Sequence, residues 1–164
     1  MESDLGEITR CYTITFERGS KHSAERLWRA ITDSGEVSKW MGYVVRIDPK
    51  VGGEYYLDFA MDGDQVPGVV TFVDPGRALR WAWDRSTVEW TIEPDGAGSK
   101  YTFIHTGLTR RESEEEEGLA AGWHGFLDQL ESHLEGMYPE KAETDARWER
   151  LKPVYKGQLE AALI

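Results

Sequence analysis

The chain has 164 residues, with 19 lysines and arginines against 30 aspartates and glutamates for a formal charge of −11. That balance argues against nucleic acid or an anionic membrane as the main partner. The length suits one domain with a full-sized core, and no apolar run reaches the roughly 18 residues of a membrane span. The N-terminal MESDLGEITR lacks a basic stretch leading into an apolar one, so the expected setting is cytoplasmic. A lone Cys11 leaves no internal disulfide to form and reads as a small buried filler. Seven tryptophans and seven tyrosines have to pack somewhere, in a large core or around a cavity.

Ile8–Arg18 alternates, with Ile8, Tyr12, Ile14 and Phe16 facing one way and Cys11, Thr13 and Thr15 the other, as a half-buried strand does. Ser23 can cap a short helix through Asp33 whose apolar side is Leu27, Trp28 and Ile31. Ser34-Gly35 interrupts it before a second helical piece ending near Trp40-Met41-Gly42. Strands separated by turn signals follow: Tyr43–Asp48, Glu54–Met61, Val66–Val73, Ala78–Arg85, Thr87–Glu93 and Lys100–Thr106. Connections this short make successive strands antiparallel neighbours.

Ser113–Gly136 is the clearest helix. Ser113 and Glu116 have capping-box spacing, and Leu119, Trp123, Phe126, Leu127, Leu130 and Leu134 share one face. Gly118, Gly122 and Gly125 form a second stripe beside it, each costing about 1 kcal/mol against alanine. Two readings fit: close contact between helix and sheet, or a hollow in which a ligand lies. Beyond Gly136, residues 138–164 form a charged extension in which Trp148, Leu151, Tyr155, Leu159 and Ala162 fall on one helical face. Pro153 must kink that helix or begin a new one. The extension either docks on the domain of residues 1–137 or supplies a partner contact, to a chaperone or to a second copy.

The order is strand, two short helices, six strands, long helix. Such a set of strands cannot bury its apolar face alone, so an antiparallel sheet curling around the long helix is the expected α+β solution. Trp81, Trp83 and Trp90 from adjacent strands, with Trp123 and Phe126 from the helix, make either a dense core or the wall of an apolar pocket. The candidate ligand-binding set is Trp40, Tyr55, Leu57, Phe59, Trp81, Trp83, Trp90, Phe103, Gly122, Trp123, Phe126 and Leu130. His22, His105, His124 and His133 are scattered without ligand spacing, so neither a metal nor a cofactor is expected, and His124 reads as solvated on the polar side of the long helix. His105 alternates with Tyr101 and Phe103. It is either a hydrogen-bonded core histidine or a group that orients a ligand or moves a proton, the one weak catalytic candidate.

His22–Asp33 with Trp40 after it, Gly52-Gly53-Glu54-Tyr55 leading into a strand, and Thr106-Gly107-Leu108 followed by Gly122-Trp123 resemble, in this order, the SRPBCC superfamily. More narrowly they resemble its activator-of-heat-shock-protein-ATPase homologues. The resemblance implies the helix-grip fold of START-like and birch-pollen-allergen-like proteins: a curved seven-stranded antiparallel sheet around a long C-terminal helix, two short helices after the first strand, and an apolar cavity between. The implied functions are binding of a small hydrophobic or aromatic molecule by a non-catalytic carrier or sensor, a co-chaperone-like interaction module, or an enzyme resembling polyketide cyclases and dehydratases.

Overall fold

The computed structural model describes residues 11–59, 65–108 and 119–162. Ile8–Arg10, the turn at 62–64, and the Ser113–Gly118 start of the long helix, with its capping box and glutamate run, lie outside the described residues. β1 (Tyr12–Ser20) leads into α1 (Ala24–Thr32) and α2 (Ser34–Met41), then β2 (Val44–Ile47), β3 (Tyr55–Asp58), β4 (Gln65–Val66), β5 (Val69–Asp74), β6 (Ala78–Trp83), β7 (Ser86–Asp95) and β8 (Gly98–Leu108). Two helices close the chain, α3 (Leu119–Leu134) and α4 (Lys141–Ala162). Among the described residues no helix is long and apolar enough to cross a membrane.

The strands form an antiparallel sheet in the order β1-β8-β7-β6-β5 and a smaller one, β2-β3-β4. The two are stitched together where Glu54 bridges Val69: the Val70 N–H donates to the Gly53 carbonyl at 2.8 Å and the Tyr55 N–H to the Gly68 carbonyl at 2.9 Å. This is the helix-grip architecture, with the expected strand count only approximate. The run 66–73 divides into β4 and β5 because Pro67 has no N–H to offer a ladder. Gly68 then passes directly under Trp83, where a Cβ would lie 2.4 Å from the indole and 2.7 Å from the Tyr55 carbonyl.

Local chemistry sets the helices. The Ser23 hydroxyl accepts from the Arg26 N–H at 3.1 Å, and the Asp33 carboxylate accepts from the Glu36 N–H at 2.9 Å. The break between α1 and α2 therefore falls at Asp33, and Ser34-Gly35 starts α2 rather than interrupting a helix. Ser34 and Ser38, one turn apart on α2, accept from the backbone N–H groups of Ile47 and Val45 and so hold β2 in place. Gly42, at φ +80°, ends α2 in the left-handed conformation that suits glycine.

The core lies between the inner sheet face (Leu79, Trp81, Val88, Trp90, Phe103), the α1–α2 pair (Leu27, Ile31, Val37) and α3 (Leu127, Leu130), all at most 2% exposed. Cys11, expected as a buried filler, is exposed: it directly precedes β1, next to the half-buried Tyr12.

One ion cluster ties α1, α2 and α3. Glu36 accepts from Arg26 at 2.7 Å and from Nε2–H of buried His133 at 2.8 Å. Burial pushes the Glu36 carboxyl up, but the hydrogen bonds from His133 and Arg26 outweigh it and hold the group below the ordinary carboxylate range. A carboxyl depressed by folding stabilises the folded state above its unfolded pKa, and that contribution is lost as pH falls through the folded value. Glu36→Gln is therefore expected to lower the melting temperature at pH 7, with the gap to wild type narrowing on acidification. Melting curves measured at stepped pH check this; a constant gap would show that Glu36 contributes packing alone.

Candidate functional site

Gly122 and Gly125 decide between the two readings of the glycine stripe. Among the described residues, a Cβ built at either meets no atom within 4 Å beyond its own helix, so neither glycine makes close contact with the described part of the sheet. Both line a cavity of about 1370 Å³ bounded by α3, the end of α2, β3, β4, the β6–β7 turn and the start of α4.

The indole of Trp123 reaches the sheet from α3, 4.4 Å from the Phe103 ring and nearly parallel to Trp83 at 6.0 Å. Tyr43 and Phe59 meet edge to face at 4.9 Å, and Phe126 lies edge-on to Tyr43 and to Trp123. Of the twelve sequence candidates, Trp40, Leu57, Phe59, Trp83, Gly122, Trp123 and Phe126 line the cavity. The other five pack in the core behind the wall. Tyr55 stacks flat on Trp81, with centroids 3.9 Å apart, and burial pushes its hydroxyl far above the ordinary phenol range. Trp90 and Phe103 pack edge to face at 5.0 Å, and Leu130 is fully buried.

His105, 3% exposed, lines the cavity as well. Its Nδ1 accepts from the Trp123 indole N–H at 3.0 Å, which places the neutral ring's proton on Nε2. Nε2 is 3.0 Å from the Ser86 hydroxyl, which is 3.0 Å from the Trp83 carbonyl. The direction of the chain follows: Nε2–H donates to Ser86, and the Ser86 O–H donates to Trp83. His105 is thus a hydrogen-bonded histidine at the edge of the core, the first of its two readings, and it also lines the cavity. Ser86 was missed by the sequence reading, although its signal was there, as the one polar member of the inward series Ser86, Val88, Trp90, Ile92 on β7.

The C-terminal extension supplies another wall. Met137, Tyr138, Lys141, Thr144, Asp145, Trp148 and Glu149 all face the cavity. α4 is fastened to α3 by a polar seam: Arg147 pairs with Asp128 at 2.7 Å, Asp128 also takes Arg18 of β1, and the Tyr155 hydroxyl lies 2.6 Å from Nδ1 of His124. His124 is accordingly not solvated as expected; α4 and Phe16 cover it, and burial pushes its pKa down. Pro153 is accommodated inside one continuous helix. Leu151, Tyr155 and Leu159 are half-buried, and Trp148 is 39% exposed. A chain ending at Met137 is expected to melt at lower temperature and to hold apolar molecules more weakly, as scanning calorimetry and ligand titration would show. An unchanged melting temperature and affinity would mean that α4 forms no functional wall.

No group of three or more histidine, cysteine or carboxylate side chains able to hold a metal ion occurs among the described residues.

The family described as activator of Hsp90 ATPase homolog 1-like protein has a model that matches residues 21–135. The chain belongs to this family. All the segments that carried the SRPBCC resemblance fall in or beside that span. No curated protein sequence matches the chain. Among solved structures, protein MLL2253 from Mesorhizobium loti is 25% identical, with a TM-score of 0.70 over 78% of this chain and 100% of that one. CalU16 from Micromonospora echinospora, 17% identical, superposes with a TM-score of 0.71 over 92% of this chain and 89% of its own. That share exceeds what residues 1–137 make up, so part of the extension is matched too. The Aha1 dimer from Colwellia psychrerythraea is 19% identical, with a TM-score of 0.63 over 74% of this chain and 94% of its own. At these last two identities the likeness is one of fold. For this member of the activator of Hsp90 ATPase homolog 1-like family, the cavity described above lies largely within the matched span, and α4 adds a wall beyond it.

Proposed function

We propose that this protein binds a small hydrophobic or aromatic molecule between sheet and long helix, as a carrier or sensor in a cytoplasmic setting. The observation that carries this reading is the open space at Gly122 and Gly125. A helix keeps residues of low helix propensity beside an apolar wall, and among the described residues nothing fills the room they leave. The walls are mostly aromatic and aliphatic with a few polar groups, the usual make-up of a small-molecule site. Trp40, Leu57, Phe59, Trp83, Trp123 and Phe126 are the residues we assign to ligand contact.

A panel of fused-ring aromatics and medium-chain fatty acids, read by tryptophan fluorescence and melting temperature, tests the reading. At least one class is expected to quench the fluorescence and raise the melting temperature. A panel that moves neither would refute it.

The family description favours a second reading, a chaperone-directed interaction module, with the acidic surface and the exposed part of α4 as the contact. Co-sedimentation with an Hsp90-type chaperone and stimulation of its ATPase are the expected results there; the absence of both removes it.

A further inference from the structure

The three tryptophans that wall the inner cavity have no N–H left for a ligand. Trp40 donates to the Ala30 carbonyl at 2.9 Å, Trp83 to the Tyr55 carbonyl at 3.3 Å and Trp123 to His105 at 3.0 Å. The last of these bonds sets the polarity of everything beyond it. An indole nitrogen is a donor only, so His105 Nδ1 must accept, Nε2 must carry the proton and donate to Ser86, and the Ser86 proton must turn to the Trp83 carbonyl. A serine oxygen has two lone pairs, and His105 occupies one. What Ser86 retains is therefore an acceptor site, on a cavity-lining residue that is 9% exposed. Gln129, a polar side chain contributed by α3, spends one amide N–H on the Trp40 carbonyl at 2.7 Å and keeps a second N–H beside its carbonyl oxygen, so the acceptor polarity is specific to Ser86. The ammonium donors of the lining, Lys39 and Lys141, are on exposed residues at the rim.

We infer that the ligand is a neutral hydroxylated aromatic, a phenol-type molecule that lies against Trp83 and Trp123 and donates its O–H to Ser86 Oγ. The inference rests on the cavity-binding reading and adds the polarity of recognition. The site selects a hydrogen-bond donor over an isosteric acceptor because an ether or ketone oxygen brought to Ser86 would face a lone pair with no proton between them. Aligning the Ser86 proton with such a ligand would give up the Ser86 bond to the Trp83 carbonyl, so an acceptor ligand gains no net hydrogen bond where a donor ligand gains one.

The test uses the full chain and three probes of one shape, 2-naphthol, 2-methoxynaphthalene and naphthalene, in equilibrium dialysis against wild type and Ser86→Ala. The ratio of naphthol to ether affinity is expected to fall by about five- to tenfold on Ser86→Ala, the worth of one hydrogen bond, with naphthalene binding little changed. Ser86→Ala also leaves His105 Nε2–H without this acceptor. Should the variant fail to fold, Ser86→Cys, near-isosteric and a weak acceptor, takes its place. A ratio that the substitution does not move, or an ether that loses more affinity than naphthol, overturns donor recognition and leaves the cavity reading standing. Failure of all three probes to bind wild type overturns both.

Discussion

Gly122→Leu is expected to fold at least as stably as wild type and to lose its affinity for apolar aromatic ligands. Leucine in a helix interior is favoured over glycine by just under 1 kcal/mol, and the new side chain enters open space rather than a packed neighbour. The same side chain then occupies the room beside Trp123 that a ligand would use. A loss of tenfold or more in affinity corresponds to about 1.4 kcal/mol, modest for a steric block placed inside a site. Circular dichroism with thermal melting reads the first half of the expectation and ligand titration the second. A variant that collapses would mean that the glycine is there for packing; one that binds normally would place the ligand elsewhere.

Trp81→Ala is the opposite kind of change. Trp81 is fully buried and stacks on Tyr55 behind the cavity wall, so its removal takes away a large apolar surface and leaves a void. Tryptophan-to-alanine changes in cores cost about 3–5 kcal/mol, out of a total stability of about 5–15 kcal/mol for a typical domain. For a chain of this length a drop of about 10 °C or more in melting temperature follows. Phe126→Ala, at a half-buried position facing the cavity, should cost much less stability and show its effect in ligand affinity. Denaturant melts of the two variants side by side decide the matter; equal destabilisation would contradict the division between core and wall.

That division marks the limit of what the chain discloses unaided. Period-two alternation puts Trp81 and Trp83 on one face of β6, and it cannot say which lies deep and which reaches the hollow. Depth is set by contacts far apart in sequence: Tyr55 of β3 lies flat on Trp81, while Gly68 lets the chain pass beneath Trp83. The fold itself was more legible, because turn residues and alternation are local, and errors came where a local breaker was passed over or a local rule met a distant partner. Pro67 split one expected strand into two. His124 was assigned to solvent because its own helix offered only a polar neighbourhood, and the helix that covers it begins at Lys141. The same helix contributes Trp148 to the cavity, which the apolar periodicity of residues 148–162 suggested only as a docking or partner face. Ser86 shows the reverse case, a signal present in the alternation of β7 that gains meaning only when His105 is seen 3.0 Å away.

The seven tryptophans make the central claim directly measurable. In a 1H–15N spectrum of the uniformly labelled protein, each indole N–H gives its own peak. On titration with 2-methoxynaphthalene, the peaks of Trp40, Trp83 and Trp123 are expected to shift, while those of Trp81 and Trp90 in the core and Trp28 on α1 stay in place. Shifts confined to Trp28, or none at all up to the solubility limit of a graded set of such ligands, would contradict a binding cavity between the sheet and the long helix.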